Sequence, residues 1–157
     1  PEPHFHASLN LKKLLNNQQI LKIFHYARFD VGILQHTFQL GIRNIYCTKI
    51  ASHLTRTYCN RHGLKDLCKE LLGVELSKQE QTSDWGAPAL THEQQKYAAT
   101  DVLYLHELKK KLDTLLEREK RSELAQACFD FLPYRCRLDI MAGEDFDVLS
   151  YNSESKG

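Results

Sequence analysis

Two carboxylates and a phenol are spaced so that they could act together on a phosphate ester. Tyr97 and Asp101 lie four residues apart in a stretch with helical periodicity, and residues so spaced share one face of a helix. Asp30 lies just beyond the apolar segment 20–24, at the start of the next predicted helix. Catalytic groups gather at the carboxyl ends of strands in open α/β sheets. An aspartate is a hard oxygen ligand for a divalent cation, and a phenol one turn away could hold a water for attack on phosphorus.

Each of these residues also has a purely structural explanation. Asp30 could start a helix, since the macrodipole favours an acid in the first turn. Tyr97 could be a core aromatic whose hydroxyl reaches a backbone acceptor. Asp101 lies mid-helix among apolar residues, where a carboxylate is costly unless it binds a metal or pairs with an arginine of the core. The spacing alone leaves both interpretations open.

The elements that must position these residues are predicted from apolar periodicity and from cap signals. Apolar runs suit buried strands at 20–24 and 45–47. Helical spacing predicts helices over 9–17, 28–39, 48–58, 64–72, 91–116 and 122–132. Gly41 and Gly73 are the expected C-caps, a capping box starts the helix at Thr91, and Pro133 is expected to end the last helix. This order of elements indicates a helix-rich α/β fold.

Composition limits the classes of protein to which the chain can belong. Its 157 residues fit one domain over 1–142, with an acidic, polar tail over 143–157 that we expect to be poorly ordered. Lys and Arg (21) nearly balance Asp and Glu (20), so a nucleic acid would have to be held by a local patch or through cations. The odd number of cysteines, without Cys-x-x-Cys, indicates neither a disulfide framework nor a zinc site and favours a reducing cytoplasm. No apolar run is long enough to cross a membrane.

The motifs together resemble a known family. His25-x-x-x-x-Asp30 and Tyr97-x-x-x-Asp101, joined by Ser83-Asp84-Trp85, are similar to the second and third motifs of the tyrosine-type DEDD 3′–5′ exonucleases. Within that family the chain most resembles ribonuclease D in its compact bacterial form, which lacks helical RNA-binding appendages. The segments 47–51 and 62–67 also resemble that subfamily, so the similarity runs from about residue 20 to about residue 132.

The resemblance implies the RNase H-like exonuclease fold and a two-metal hydrolysis. Two divalent cations, Mg²⁺ or Mn²⁺, would lie about 4 Å apart on the scissile phosphate. Asp101 would bind metal directly, Asp30 directly or through water, and Tyr97 would orient the attacking water. The substrate would be the single-stranded 3′ end of an RNA, such as a tRNA precursor or a small RNA, shortened one nucleotide at a time. Basic residues in or near the motifs would contact the nucleic acid: His25, Arg28, Lys49, His62 and Lys65.

One motif of the family has no counterpart in the chain. The first motif, an Asp-x-Glu on an early strand, is missing upstream of Asp30, where Glu2 is the only acid. Two aspartates contribute −2 against +4 from two cations, so the negative charge of the site is too small. The opening strands of the family's sheet are missing too, which leaves an unpaired strand edge. We therefore expect residues 1–142 to be a partial exonuclease domain that is inactive by itself.

Three explanations stay open for the missing motif. The chain could be a fragment of a complete exonuclease, which its start at Pro1 favours, or another polypeptide could supply the motif. It could also be a metal-free relic, a non-catalytic module that binds RNA or a protein. Such a module predicts salt-sensitive binding to single strands without nucleotide release. A small helical interaction domain with no site would be indicated if Asp30 and Tyr97 lay far from Asp101.

Overall fold

Two short strands and six α-helices make up the part of the chain that the computed structural model describes, residues 3–39, 41–76 and 92–151. Within those ranges, side chains are described for 10–39, 41–76 and 103–151. The elements in chain order are α1 (Pro3–Asn16), β1 (Lys22–Phe24), α2 (Ala27–Phe38), β2 (Ile45–Cys47), α3 (Thr48–Thr55), α4 (Leu64–Leu67), a π-helical turn (Cys68–Leu72), α5 (His92–Arg118) and α6 (Ser122–Ala142).

The two strands are parallel, and α2 is the crossover between them. Lys22 pairs with Ile45 and Phe24 with Cys47. All three residues of β2 are buried, as expected for a strand covered on both faces. Since parallel strands point the same way, the segments that leave them, 25–30 and 48–53, meet at one edge of the sheet. We call this edge the carboxyl edge.

The core lies between the sheet and the helices α2, α5 and α6. Leu108, Leu112 and Leu116 form one buried stripe along α5, and burying each contributes roughly 1.5–3 kcal/mol. From α6, the Phe129 ring packs on the Tyr46 ring of β2 at a centroid distance of 4.6 Å. This packing fixes the helix that carries Tyr97 and Asp101 against the sheet.

The predicted α/β class and the strand over Ile45–Cys47 are confirmed, and the helix ends show where local signals were wrong. Helix α2 ends at Phe38 rather than at Gly41, because Gln39 itself adopts a left-handed conformation (φ +51°) and donates its N–H to the Gln35 carbonyl at 2.8 Å. Gly73, with φ +67°, closes the π-helical turn as the pattern predicts.

The prediction that Pro133 ends the last helix is wrong, because α6 runs through it to Ala142. Proline removes one backbone donor and costs about 3 kcal/mol in a helix interior. Leu132 and Cys136, on either side of it, are buried, so their burial offsets this cost. The side-chain amide of Gln35 on α2 also donates to the Pro133 carbonyl at 3.3 Å. Tertiary packing therefore overrides the local stop signal.

The chain beyond α6 is described as far as residue 151. Arg28 and Arg135 both donate to the Glu144 carbonyl, at 2.7 and 2.9 Å, so this part of the tail is hydrogen-bonded to two helices. The division between a domain at 1–142 and a tail at 143–157 stays a prediction. Within the described residues, no helix is both long and apolar enough to cross a membrane.

Candidate active site

Asp30 lies at the carboxyl edge, in the first turn of α2. Its backbone N–H donates to the Tyr26 carbonyl at 3.2 Å, which places it one turn beyond the end of β1. Its side chain is half-buried, and this burial raises the pKa of the carboxyl group. Among the side chains that the structure describes, none forms a hydrogen bond or ion pair with the Asp30 carboxylate. A half-buried carboxylate without a partner among the described side chains is suited to binding a cation.

Tyr97 and Asp101 both lie on α5, as the spacing predicts, and this helix contacts β1, the strand that leads to Asp30. Their side chains lie outside the described residues, as does Ser83-Asp84-Trp85. Their convergence with Asp30 therefore stays a prediction. The structure shows that α5, which carries the third motif, contacts β1, the strand that leads to the second motif.

A tie from β2 fixes the position of α5. The Tyr46 hydroxyl donates to Asp113 Oδ1 at 2.8 Å, and Lys109 Nζ pairs with Asp113 Oδ2 at 2.6 Å. Lys109 also lies over the Tyr46 ring, 5.0 Å from its centroid. Burial and the Asp113 carboxylate both raise the pKa of the Tyr46 hydroxyl, so it stays protonated and acts as a donor. The helix cannot rotate or slide without breaking this tie.

His25 and Lys49 come together at the carboxyl edge. The His25 Nδ1 lies 2.9 Å from the Thr48 Oγ1, and the Lys49 N–H donates to the His25 carbonyl at 3.1 Å. The Lys49 ammonium lies 4.1 Å from the centroid of the half-exposed Tyr26 ring. Burial, with Lys49 adding to it, lowers the pKa of His25 to about 4. At neutral pH these residues thus present the Lys49 cation, the neutral His25 imidazole and an aromatic face.

The lowered pKa of His25 predicts a pH-dependent stability. Between its folded pKa of about 4 and its ordinary 6.5, the unfolded chain binds more protons at His25 than the folded chain does. The free energy of unfolding therefore falls as the pH is lowered through this window, by about 3 kcal/mol for this group. His25→Asn should remove that dependence in urea unfolding between pH 7 and pH 4. The exposed His106→Asn is the control, and equal slopes for the two variants would contradict the assignment.

His62 is engaged inside the protein. It is 7% exposed, its Nδ1 lies 2.7 Å from the Ser52 Oγ, and its Nε2 lies 3.0 Å from the Cys59 carbonyl. The exposed His53 stacks on it with ring centroids 3.9 Å apart. Both ring nitrogens of His62 thus have protein partners, and His53 presents the outer face of the pair.

The remaining two candidate phosphate contacts lie in different surroundings. Arg28 forms a bidentate ion pair with Asp139 of α6, with N–O distances of 2.8 and 2.7 Å, and this contact also lowers the pKa of the Asp139 carboxyl. Lys65 is half-buried on α4. Of the five predicted contacts, His25, Arg28 and Lys49 lie on the segments that form the carboxyl edge, and the backbone of His62 reaches His25 there. Arg28 is engaged by α6, whereas the Lys49 ammonium lies over the Tyr26 ring.

Sequence reasoning missed Tyr26 and His53, which contribute an exposed ring and an exposed imidazole beside this edge. A signal for His53 was present, because it lies four residues after Lys49 on α3 and so shares its helix face. Tyr26 carried no comparable signal. Its place beside the edge becomes visible only in the fold, where Lys49, from the segment after the other strand, lies over its ring.

Asp30 fits a divalent cation. Its oxygens are hard donors of the kind that Mg²⁺ and Mn²⁺ prefer, and a bound cation would compensate the burial that raises its pKa. No group of three or more His, Cys, Asp or Glu able to hold a metal occurs among the described residues. Further ligands would therefore come from residues such as Asp101, whose side chain is not described, or from the substrate.

Comparison with known proteins decides the family. Residues 4–117 match the family model described as "3′-5′ exonuclease". The chain belongs to the 3′–5′ exonuclease family. The resemblance that the motifs carry is thereby confirmed, together with the helix-rich α/β exonuclease fold.

Relatives of known sequence extend this family match. The chain is 39% identical to DNA polymerase I of Aquifex aeolicus over 119 residues, which are 73% of the chain and 20% of that protein. It is 31% identical to ribonuclease D of Pseudomonas paraeruginosa over 126 residues, 80% of the chain and 33% of the enzyme. The chain thus spans a fifth to a third of the length of these relatives.

Solved structures include a protein of higher sequence identity. NrnC of Brucella melitensis bound to pGG is 52% identical, with a TM-score of 0.83, and the match covers 91% of this chain and 69% of that one. The same nuclease has been solved with bound Mg²⁺. This family member therefore shares both the fold and half of the aligned residues with the chain.

Proposed function

We propose that this exonuclease domain hydrolyses the 3′ ends of single-stranded RNA, including short oligoribonucleotides, with two divalent cations. The observation that carries the proposal is Asp30, a half-buried carboxylate without a protein partner among the described side chains, placed at the carboxyl edge. The pGG and the Mg²⁺ bound to NrnC support a ribonucleotide substrate and the choice of metal.

Each of the proposed site residues would have a separate role in the reaction. Asp30 and Asp101 would hold the cations, which lower the pKa of a water and neutralise charge on the phosphate. Tyr97, one helical turn before Asp101, would orient the attacking water through its hydroxyl. Lys49 would attract the phosphate backbone, while neutral His25 would line the same edge, with its Nδ1 held by Thr48.

The aromatic ring of Tyr26 would hold a base beside the cleavage point. Stacking of a base on an aromatic side chain contributes about 1–3 kcal/mol and tolerates any base. The ring is 48% exposed and stacks with the Phe29 ring at a centroid distance of 5.9 Å and an interplanar angle of 12°. This arrangement suits a single strand, in which the bases are free to stack.

The chain alone should be inactive, because two aspartates leave the charge of two cations under-compensated. We propose that the chain is part of a longer exonuclease, the full-length protein, in which an Asp-x-Glu completes the site. We expect that protein to release nucleotides from a labelled oligoribonucleotide, and the 157-residue chain to release none. Robust turnover by the chain alone would contradict the charge argument. Salt-sensitive binding by the full-length protein without release under any metal would favour the non-catalytic module instead.

Tyr97→Phe tests the water-orienting role separately from metal binding. The substitution removes one hydroxyl and no metal ligand, so we expect kcat to fall about a hundredfold while the Mn²⁺ affinity stays the same. Single-turnover release together with Mn²⁺ titration by electron paramagnetic resonance measures both. Tyr104→Phe, seven residues further along the same helix, is the matched control. Loss of Mn²⁺ affinity in Tyr97→Phe, or an equal rate loss in the control, would refute this role.

A further inference from the structure

The first turn of α2, which carries Asp30, is held by the end of α6 through a cluster of charged groups. Arg28 binds Asp139 with two hydrogen bonds, at 2.8 and 2.7 Å, and its guanidinium also donates to the Glu144 carbonyl at 2.7 Å. Arg135 pairs with the same Asp139 at 3.2 Å and reaches the same carbonyl at 2.9 Å. We call Arg28, Arg135, Asp139 and the Glu144 carbonyl the arginine clamp.

Helix α6 also contacts the backbone of the same turn. The Cys136 thiol donates to the Arg28 carbonyl at 3.4 Å. A Cβ on Gly32 would lie 4.0 Å from the Cys136 sulfur, so the two helices approach closely at this point. The first turn of α2 is thus fixed by α6 through one side chain and through its main chain, in addition to its attachment to β1.

The geometry of a helix links this clamp to Asp30. Successive residues are rotated by about 100°, so Asp30 lies about 200° around the axis from Arg28, on the opposite side of α2. Rotation of the turn about its axis would move both residues together. Ala27 and Val31 are fully buried on the core face and hold the turn against the core. A bidentate contact at Arg28 opposes that rotation directly.

We infer that the arginine clamp is a positioning device, in which α6 and the segment after it hold Asp30 in the orientation that a metal-binding carboxylate requires. The inference rests on the proposed function. Asp139, Arg135 and Glu144 lie outside residues 4–117, the part of the chain that matches the family model. The clamp is therefore an element by which the region beyond that match acts on the second motif.

Asp139→Asn tests the clamp, because it removes the carboxylate charge between two guanidinium groups. In the full-length protein we expect faster amide hydrogen exchange in residues 27–33 without metal. We also expect the Mn²⁺ concentration for half-maximal nucleotide release to rise about tenfold, with kcat largely restored at saturating Mn²⁺. Arg28→Lys keeps the positive charge but loses the bidentate hydrogen bonds to Asp139. It should therefore raise the Mn²⁺ concentration for half-maximal release by a smaller factor.

Asp130→Asn is the matched control, since Asp130 is exposed on the same helix and accepts a hydrogen bond from Gln126 of α6.

Asp30→Asn separates the two proposals. If Asp30→Asn raises the Mn²⁺ requirement and neither Asp139→Asn nor Arg28→Lys does, the clamp proposal fails alone. If Asp30→Asn leaves the requirement unchanged, the proposed role of Asp30 fails and the clamp proposal fails with it. A general loss of kcat at all Mn²⁺ concentrations would show a merely structural role and overturn the inference.

Discussion

Asp101→Asn should remove nearly all Mn²⁺-dependent nucleotide release by the full-length protein. The substitution keeps the size of the side chain but removes the charge that would hold a cation on the scissile phosphate. A metal contributes several kcal/mol of charge stabilisation in the transition state, so we expect kcat to fall about a thousandfold or more. Release of nucleotides from a 5′-labelled oligoribonucleotide under single-turnover conditions measures the loss.

Glu107→Gln is the control for that substitution. It removes one negative charge from the same helix, where Glu107 is exposed and pairs with Lys110 at 3.4 Å. An exposed pair of this kind contributes about 0–1 kcal/mol, so we expect activity close to that of the wild type. Retained activity in Asp101→Asn would rule out the metal-binding role of Asp101.

Arg56→Met should give the largest loss of stability. Arg56 is 3% exposed, and its guanidinium donates to the Ser52 Oγ at 3.0 Å, to the Glu70 carboxylate at 2.6 Å and to the Arg61 carbonyl. Methionine fills much of the volume but leaves these acceptors without a donor. We expect the free energy of unfolding to fall by about 3 kcal/mol in urea denaturation.

The matched control for this prediction is Arg118→Met. Arg118 is exposed at the end of α5 and pairs with Glu119 at 3.5 Å, so its loss should change the free energy of unfolding by less than about 1 kcal/mol. Arg56→Lys should recover only part of the loss, because an ammonium cannot reproduce the fork to Glu70. Equal losses in Arg56→Met and Arg118→Met would contradict the buried network.

Most of the strands and helices that position the site could be predicted, because the sequence patterns that indicate them are local. The strand Ile45–Cys47 occurs as predicted, and the apolar run over 20–24 contains the shorter strand Lys22–Phe24. Ile20 and Leu21, at the start of that run, are exposed. The capping box that starts at Thr91 predicts a long helix, and α5 begins at His92. Tyr97 and Asp101 therefore lie on one helix because their short-range periodicity is strong.

Other features could not be predicted, because they depend on contacts between distant parts of the chain. Arg28 and Asp139 are 111 residues apart, and no local pattern joins them. Pro133 is a strong local stop signal that packing between α2 and α6 overrides. No local pattern indicates that Arg56 is buried, yet it follows α3 as a 3% exposed residue with several hydrogen-bond acceptors around it. The sequence shows that a residue is charged, but only the fold shows its partner.

A crystal structure of the full-length protein grown with Mn²⁺ tests the central claim most directly. Anomalous scattering locates Mn²⁺ without assumptions about its ligands. The account predicts a peak within coordination distance of carboxylate oxygens from both Asp30 and Asp101, with the Tyr97 hydroxyl on the same side of the site. Asp30 and Asp101 lying far apart, or Mn²⁺ bound away from both, would contradict it.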